Sequence, residues 1–281
     1  MASVLWAGGR LRDPREPVVA GTDPGVATGL GLFETCAVLD GRAFALTRHL
    51  ARLAASADAL GLPAVDDAEV REAVAAVLAA SGPEIGRLRI TVTPGVPDGA
   101  DPPRPTLIVS AAPAPVRGPA HVVRSPWVRN ERSPLAGHKS TSYAADVLAL
   151  AAATRAGGNE ALLANTRGAL CEGTTSNVLV ERGGELLTPG LSSGCLPGVT
   201  RALVLQWSAE AGLPVREAGD DELPWSVVED ARAGAAGLAL AGTLRGVVGV
   251  EAVEGTPIEV GPLTAEAVRL FRARAAEHPD P

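Results

Sequence analysis

Four short apolar runs follow one another between Glu160 and Thr188, and turn residues separate each run from the next. The runs are too short for helices and have the length and composition of strands. Because the intervening turns are short, consecutive strands must fold back beside one another. We therefore expect meander-like β-structure here, built from the runs EALLAN, ALCE, NVLVE and ELLT.

Strand signals in the first third of the chain predict a small α+β unit. Val4–Trp6, Gly29–Leu39 and Ala43–Leu46 have strand character, and Asp40-Gly41 between the last two is a hairpin signal. Further on, the alternating run RLRITVT, Arg87–Thr93, and the run PTLIVSAAP are predicted strands. The segment between these two runs, PGVPDGADPPRP, is predicted to be a loop.

Helix signals lie between and after these strands. Thr47 is a candidate N-cap for a helix that ends at Gly61, and a second helix is expected over Asp67–Ala80. In the second half we expect a long helix over Tyr143–Ala156 and another that starts at LPGVTR, with Pro197 at its entry. The last quarter predicts a strand, a turn at LAGTLRG, a short helix near AEAVRLFRARAAE and a frayed end, HPDP.

Composition excludes several classes of function. Hydrophobic residues make up 46% of the chain but aromatic residues only 3%, which predicts an aliphatic core. The net charge of -7 argues against a nucleic-acid partner, since such proteins usually have a concentrated basic face. Cys36, Cys171 and Cys195 are widely spaced and form no metal-binding pattern, so we expect no metal and a reducing, cytoplasmic setting.

The sequence also predicts a soluble protein. The N-terminal segment MASVLWAGGRLRDP has too short an apolar stretch for a signal peptide. No apolar run in the chain approaches the roughly 18 residues that a membrane-spanning helix needs. We therefore expect neither a membrane partner nor secretion.

A lone lysine in the stretch GHKSTSY, Gly137–Tyr143, stands directly before a long apolar segment. A lysine in this position is most often a surface cation whose aliphatic stem packs on apolar neighbours. The alternative is an amine that attacks a carbonyl group, for which Lys139 must be deprotonated by burial or by a neighbouring charge. Position alone leaves both interpretations open.

Other groups in the second half suit a pyridoxal phosphate (PLP) site. Glu172 ends the run ALCE, and its carboxylate is either an ordinary strand-end acid or the partner of a protonated pyridine nitrogen. Gly198, Val199 and Thr200 form a simple helix start or, alternatively, a phosphate site built from backbone N–H groups and a hydroxyl. Thr243 in LAGTLRG offers a second turn of the same kind.

Taken together, six motifs in a fixed order resemble class IV aminotransferases. These are the fold type IV group of PLP enzymes, which comprises branched-chain aminotransferases, D-amino acid aminotransferases and 4-amino-4-deoxychorismate lyases. The resemblance runs from about Gly29 to Thr243, which is most of the chain. The motifs are HLARL, HKSTSYA, EALLAN-TRG-ALCEGTTSNVLVE, LTP, GCLPGVTR and LAGT.

The resemblance implies a role for each matching residue. Lys139 is similar to the Schiff-base lysine, which makes it the catalytic residue, and Glu172 is similar to the partner of the pyridine nitrogen. Arg52 in HLARL is similar to the phosphate-binding arginine, against the alternative of an exposed helix arginine. The remaining phosphate ligands by this resemblance are Val199, through its N–H group, Thr200 and Thr243.

Four further residues have less specific expectations. Tyr143 is either a cofactor contact or a structural tyrosine, and the asparagine that is frequent in this turn of the family is Ser142 here. Asn177 is expected to fix the GTTSN turn rather than touch the cofactor. Arg89 and Arg129 are candidates for binding substrate carboxylates, with plain salt bridges as the alternative.

The resemblance favours one branch of the family. D-amino acid aminotransferases typically carry an arginine directly before the glycine of the strand corresponding to RITVTPG, and Pro94 stands there in this chain. Branched-chain aminotransferases tend to be longer and richer in aromatic residues. The chain looks most like an aminodeoxychorismate lyase, which eliminates enolpyruvate to give 4-aminobenzoate for folate synthesis. A transaminase for branched-chain L-amino acids, D-amino acids or amines is the first alternative, and a non-catalytic cofactor carrier is the second.

The family also implies an architecture. We expect a small N-terminal α+β domain over residues 1–115, a linker near Ala112–Pro119, and a larger PLP-binding domain of barrel-like β-structure with helices over residues 116–281. The cofactor is expected between the two domains, with a small-molecule amine as substrate. Class IV enzymes are generally homodimers, so a homodimer is expected by resemblance alone.

Overall fold

The computed structural model describes residues 4–96, 104–116 and 118–281. Helices and two separate β-sheets make up the fold, which confirms the α+β class expected from the sequence. Much of the predicted loop PGVPDGADPPRP, and one position of the predicted linker, lie outside the described residues. The chain divides into two compact units, of which the first comprises Met1–Pro115, His138–Ser142 and His278–Pro281, and the second Val116–Gly137 and Tyr143–Glu277.

A six-stranded antiparallel sheet forms the centre of the first unit. Its strands in chain order are β1 (Val4–Ala7), β2 (Arg10–Arg12), β3 (Leu32–Leu39), β4 (Arg42–Ala43), β5 (Arg87–Thr93) and β6 (Thr106–Ala112). They lie in the order β2-β1-β6-β5-β3-β4. Side chains alternate between the two faces of β5 and β6, so that Leu88 and Ile90 on one strand and Val109 on the other are fully buried.

The hairpin between β3 and β4 confirms the turn predicted from sequence. Asp40 and Gly41 have φ angles of 48° and 74°. Two positive φ values in succession are what a type I′ turn requires, and this turn matches the twist of the strands that it joins. Val38 accordingly lies opposite Ala43 in the antiparallel pair.

The described residues of the first unit form three helices: α1 (Pro24–Ala27), α2 (Leu46–Ala59) and α3 (Asp67–Ala79). The prediction for α3 is confirmed, and Val70, Val74 and Val77 on one face of it are buried against the sheet. The predicted strand at 43–46 is wrong beyond Ala43, because α2 already begins at Leu46.

The start of α2 and the end of the chain both differ from expectation. Thr47 is not the N-cap, since Ala45 occupies that position with φ of 54°. The segment HPDP, which was expected to fray, is bonded to α2 instead. Asp280 accepts hydrogen bonds from the backbone N and the Oγ1 of Thr47, at 2.8 and 2.6 Å. These partners are 233 residues apart, so no local pattern could have indicated the contact.

A nine-stranded mixed sheet forms the second unit. Its strands are β7 (Ala120–Arg124), β8 (Glu160–Ala164), β9 (Leu170–Gly173), β10 (Asn177–Arg182), β11 (Glu185–Thr188), β12 (Val215–Glu217), β13 (Gly237–Gly242), β14 (Gly246–Val253) and β15 (Thr256–Pro257). The order is β12-β11-β10-β13-β14-β7-β8-β9, and β15 pairs with β14. The four strands β8 to β11 confirm the four apolar runs, while β7 and β12, which the sequence analysis did not predict, join parallel to their neighbours.

Helices complete the second unit. They are α4 (Ala144–Arg155), α5 (Val199–Glu210), α6 (Val227–Arg232) and α7 (Pro262–Glu277). The predicted helices at Tyr143–Ala156 and LPGVTR are confirmed as α4 and α5, whereas α7 is 16 residues long rather than short. Among the described residues, none of these helices combines the length and apolar character needed to span a membrane.

Candidate active site

A buried carboxylate holds the arginine of α2. Glu34 lies in β3 with 1% of its surface exposed. Its Oε1 accepts a hydrogen bond from Arg52 Nε at 2.8 Å and its Oε2 one from Arg52 Nη2 at 2.7 Å. His49, three residues earlier on α2, contacts the same Oε2 through Nδ1 at 2.6 Å. Two parallel hydrogen bonds fix the plane of the guanidinium group, so Arg52 is held on a rigid element.

The charge of Glu34 is set by its partners. Burial by itself would raise the pKa of Glu34, because an ionised carboxylate is costly away from water. The positive charge of Arg52 and the hydrogen bonds from His49 and Arg52 outweigh this effect and lower the pKa of Glu34 to about 2. The sequence analysis missed both Glu34 and His49. A glutamate inside an apolar strand is the signal that indicates such a pair, since buried acids are almost always paired.

Lys139 is the only lysine in the 281-residue chain. The backbone around it is hydrogen-bonded to the segment that leads into β3: Phe33 N donates to Lys139 O at 2.9 Å, and Thr141 N donates to Gly31 O at 2.8 Å. The side chain is half-buried. Because both flanks are bonded in this way, the lysine stands on an ordered extended segment of the first unit rather than on an exposed helix.

Two cations contact the ring of Phe33. The Nζ of Lys139 lies 4.5 Å from the ring centroid, and the Cζ of Arg89 lies 3.8 Å from it. The negative face of an aromatic ring attracts cations at such distances. Phe33 therefore brings Arg89 and Lys139, two predicted site residues from separate parts of the sequence, to one place in the first unit.

Glu172 is the penultimate residue of β9 in the second unit, and both of its carboxylate oxygens are bonded. Its Oε1 accepts a hydrogen bond from Arg129 Nε at 3.1 Å, and its Oε2 accepts one from the backbone N of Leu196 at 2.9 Å. Arg129 in turn donates to Asp146 Oδ1 of α4 at 2.6 Å. Both carboxylate oxygens are bonded, and the two contacts set the orientation of the group.

The charge of Arg129 is balanced by its neighbours. Burial alone would lower the pKa of Arg129, but the charge of Glu172 and the hydrogen bond to Asp146 outweigh burial and raise the pKa above its usual range. Arg129 therefore remains a cation whose observed contacts are carboxylates of the protein. These contacts correspond to the salt-bridging alternative, and a contact with a substrate carboxylate stays a prediction.

Tyr143 contacts the turn after Glu172. Its hydroxyl donates a hydrogen bond to the carbonyl oxygen of Thr174 at 2.9 Å. Burial raises the pKa of Tyr143, so the phenol stays protonated and keeps this bond at neutral pH. The observed bond gives Tyr143 a structural contact, while a cofactor contact stays a prediction.

A second buried carboxylate organises the GTTSN turn. Glu160, at the start of β8, is fully buried and accepts hydrogen bonds from the Oγ1 of Thr174, from the N of Thr175 at 3.0 Å and from its Oγ1 at 2.5 Å. Ser176 Oγ adds a further bond at 3.2 Å. The sequence analysis missed this role, although an acid at the head of an otherwise apolar strand is again the signal.

At the N-terminus of α5, the backbone lies close to the side chain of Asn177. Gly198 occupies the N-cap position, and because glycine has no side chain it cannot satisfy the first N–H groups of the helix. A Cβ added at Gly198 would collide with the Oδ1 of Asn177. The Nδ2 of Asn177 donates to Leu196 O at 2.8 Å, which is the turn-fixing contact expected for Asn177. Val199 and Thr200, the first two helical residues, are buried at this end.

The LAGT turn lies next to the GTTSN turn. Strands β10 and β13 pair antiparallel, with Asn177 opposite Ala241. A Cβ added at Gly242 would lie 3.1 Å from the backbone oxygen of Thr175. The two backbones are therefore so close that little room remains for a side chain at Gly242. Thr243 comes directly after Gly242, and the strand pairing thus places this predicted phosphate ligand close to the GTTSN turn.

The predicted site residues fall into two groups, according to the unit that contains them. The first unit contains Arg52, Arg89 and Lys139. The second unit contains Arg129, Tyr143, Glu172, Val199, Thr200 and Thr243. Among the described residues, no group of three or more His, Cys, Asp or Glu side chains is arranged to hold a metal ion.

Comparison with known proteins shows the family of the chain. The sequence profile of the amino-transferase class IV family matches residues 31–253. The chain belongs to the class IV aminotransferases. Members of this family use PLP, and the chain is accordingly a PLP-dependent enzyme.

The relatives of this chain are named after different activities. The chain is 32% identical to a putative branched-chain-amino-acid aminotransferase of Methanocaldococcus jannaschii, over 76% of this chain and 77% of that protein. It is 29% identical to a bifunctional aminodeoxychorismate lyase / D-amino acid transaminase of Mycobacterium tuberculosis, over 74% and 79%. A solved fold IV-transaminase from Curtobacterium pusillum is 31% identical and superposes with a TM-score of 0.82, covering 98% of this chain and 99% of that one.

The residues present fit the chemistry of PLP. Its phosphate requires cationic or N–H donors, and the chain offers Arg52 and the uncapped N-terminus of α5 at Val199. Its pyridine nitrogen requires an oriented carboxylate, which Glu172 supplies. Its aldehyde requires an amine, and Lys139 carries the only lysine amine of the chain.

The first prediction concerns the buried pair at α2. The substitution Glu34→Gln leaves the Arg52 guanidinium without its counter-ion, so we expect the free energy of unfolding at pH 7 to fall by about 3–5 kcal/mol. The pKa of Glu34 is lowered from 4.5 to about 2 in the folded protein. The stability that it contributes is therefore fully present above pH 4.5 and is lost as the pH falls towards 2.

Denaturant unfolding at pH 7 and pH 3 measures this difference. The gap between the wild type and Glu34→Gln should be smaller at pH 3. The exposed Glu72→Gln on α3 serves as the matched control, and its effect should be within about 0.5 kcal/mol at both pH values. An equal loss for Glu34→Gln at both pH values would contradict the assignment of an ionised Glu34.

A second prediction concerns the N-terminus of α5. The backbone of Gly198 has φ of -65°, which any residue adopts, so Gly198→Ala tests the collision with Asn177 alone. We expect Gly198→Ala to weaken PLP binding at least about tenfold. The reason is that the added methyl group displaces the turn, and overpacking of this kind costs about 1–3 kcal/mol. The double variant Asn177→Ala/Gly198→Ala should recover part of this loss, as measured by absorbance titration. Additive losses in the double variant would show that the two residues act independently.

Proposed function

We propose that this class IV enzyme is a 4-amino-4-deoxychorismate lyase, which converts its substrate into 4-aminobenzoate and pyruvate. The observation that carries the proposal is the pairing of Lys139 with Arg89 on the ring of Phe33. A permanent cation and the reactive amine thus contact the same aromatic ring, and the lyase substrate carries two carboxylates that such a cation can bind. Two further observations support this branch: the name of the bifunctional relative gives a lyase activity beside its D-amino acid transaminase activity, and Pro94 stands in place of the arginine typical of D-amino acid aminotransferases.

In this proposal each site residue has one task toward PLP. Arg52, held by Glu34, binds the phosphate together with the N–H group of Val199. Glu172, oriented by Arg129 and Leu196, holds a proton at the pyridine nitrogen. The further ligands proposed are the hydroxyls of Thr200 and Thr243 for the phosphate and Tyr143 for the ring.

The reaction is an elimination assisted by one lysine. When bound, PLP supplies an electron sink for the charge that develops on the carbon bearing the substrate amine. Lys139 Nζ takes the proton from that carbon as general base. The C–O bond on the neighbouring carbon then breaks, and enolpyruvate leaves and takes up a proton to become pyruvate. Loss of this group makes the ring aromatic and yields 4-aminobenzoate.

A transaminase of the same family is the second candidate. Its support is the 32% identity to a protein named as a branched-chain-amino-acid aminotransferase and the similarity to a solved transaminase. The two reactions share the proton transfer to Lys139 but differ in the fate of the resulting carbanion. A transaminase needs a keto acid as second substrate, whereas a lyase completes its cycle with one substrate.

This difference defines the third prediction. Purified, PLP-loaded enzyme given 4-amino-4-deoxychorismate without keto acid should release 4-aminobenzoate and pyruvate in equal amounts over many turnovers. Lys139→Ala should lower the rate by about 10³-fold or more, because the general base is lost. The exposed Arg132→Ala in the preceding segment is the matched control and should keep the wild-type rate. Failure to form either product, together with transfer of an amino group to a keto acid, would establish the transaminase instead.

The single lysine allows the attachment of PLP to be tested without activity. Borohydride reduction of the loaded protein should fix the cofactor on one peptide, the one that contains Lys139. Lys139→Arg should show no side-chain labelling, since no other lysine exists in the chain. Labelling that persists in Lys139→Arg would contradict the proposed role of this residue.

We further propose a homodimer that works in the cytoplasm. Trp127 and Val128, and Val147 and Leu148 on α4, are large apolar side chains exposed in the isolated chain, and apolar surface of this kind suits an interface between copies. The three cysteines are buried free thiols, in keeping with a reducing compartment. Light scattering of the purified protein measures the oligomeric state directly.

A further inference from the structure

The helix that carries Arg52 lacks a cap of its own. The first N–H groups of any α-helix have no partner within the helix and need acceptors from elsewhere. A serine, threonine, aspartate or asparagine at the N-cap usually supplies one. In α2 the N-cap is Ala45, whose side chain has no acceptor, and its backbone is left-handed with φ of 54°.

The last residues of the chain supply the missing acceptors. Asp280 Oδ1 accepts a hydrogen bond from the N of Thr47 at 2.8 Å, and its Oδ2 accepts one from Thr47 Oγ1 at 2.6 Å. Pro279 O accepts a bond from the N of Ala45 at 2.8 Å. Arg48 Nε donates to Pro281 O at 2.8 Å. The negative charge of Asp280 also lies at the positive end of the helix dipole, where an anion is favoured.

Neighbouring elements strengthen the same contact. Arg71, on α3, donates from Nη2 to Thr47 Oγ1 at 3.2 Å, so that Thr47 is bonded to both the tail and a second helix. We refer to residues 278–281 as the C-terminal tail. It belongs to the first unit of the fold, although α7, which precedes it, belongs to the second.

The capped turn leads directly to the residues that hold Arg52. His49 comes two residues after Thr47, and Arg52 comes five residues after Thr47. All three therefore lie within the first two turns of α2. His49 and Arg52 both contact Glu34. The capped start of α2 and the turn that carries Arg52 are therefore successive turns of one helix.

We propose that the C-terminal tail is a remote helix cap that positions Arg52 for the phosphate of PLP. Asp280 is thus a positioning residue, because it acts through α2 and not by contact with the cofactor. The inference rests on the proposed role of Arg52 in phosphate binding. Since coupling between two binding events is reciprocal, bound PLP also holds the tail more firmly on α2.

Variants of Asp280 in the full chain test the proposal. Asp280→Ala removes the acceptor, and we expect the dissociation constant for PLP to rise about three- to tenfold, a change of the same order as the stability that an N-cap contributes to a helix. Asp280→Asn keeps an acceptor that caps helices equally well and should stay within about twofold of the wild type. Asp58→Ala is the matched control, because it removes an exposed carboxylate from the other end of α2 and should leave PLP affinity unchanged.

Pyridoxal, which lacks the phosphate, separates positioning from general stability. If the tail acts through Arg52, Asp280→Ala should weaken PLP binding but leave the affinity for pyridoxal within about twofold of the wild type. Equal losses for both compounds would show that the tail only stabilises the first unit, and unchanged PLP affinity would show that it does not position Arg52. Either result would overturn the proposal.

Hydrogen exchange on the wild type gives a test that requires no variant. Addition of PLP should slow amide exchange both in the first two turns of α2 and in the C-terminal tail. Unchanged exchange in the tail, with α2 protected, would refute the coupling. If the wild type takes up no PLP on Lys139 after borohydride reduction, the proposed function fails. Exchange in cofactor-free Asp280→Ala then still reports whether the tail caps α2.

Discussion

The pairing of buried Glu34 with Arg52 and His49 is the interaction on which the first unit depends. An ion pair that is nearly free of solvent is tolerated only when every partner is bonded, and here both carboxylate oxygens accept charge-assisted hydrogen bonds. The pair joins β3 to α2. Because side chains alternate along a strand, Phe33 points to the opposite face from Glu34 and contacts Lys139. One strand thus fixes both the arginine and the lysine.

The second unit uses the same principle with two further carboxylates. Glu172 is oriented by an ionic partner, Arg129, and by a backbone N–H group. Glu160 accepts hydrogen bonds from the hydroxyl and N–H donors of the GTTSN turn, and its Oε2 also lies 3.9 Å from the buried Nε of Arg245. Each acid thus has both a cationic neighbour and hydrogen-bond donors, as a buried carboxylate requires. The hydrogen-bond donors of Glu160 belong to one turn, whose shape they fix, whereas those of Glu172 come from two separate segments.

The match to the class IV family covers most of the chain, but a few contacts decide which reaction an enzyme of this family catalyses. Lyases and transaminases of this family need the same lysine, the same carboxylate at the ring nitrogen and the same phosphate ligands. They differ in what the substrate presents next to the reacting carbon and in how its carboxylates are held. The contact of Arg89 and Lys139 with one ring is for this reason the observation on which the proposed substrate rests.

Local sequence patterns predicted the strands β5 and β6, the hairpin at Asp40-Gly41 and the helices α3, α4 and α5, because alternation, turn chemistry and helix periodicity act over a few residues. The motifs also indicated the family and its cofactor. The tertiary structure alone showed that β3 carries a buried acid for Arg52, that Arg129 orients Glu172, and that Asp280 caps α2. These contacts join residues far apart in the chain. Their energy comes from burial and pairing across elements, which no local pattern contains.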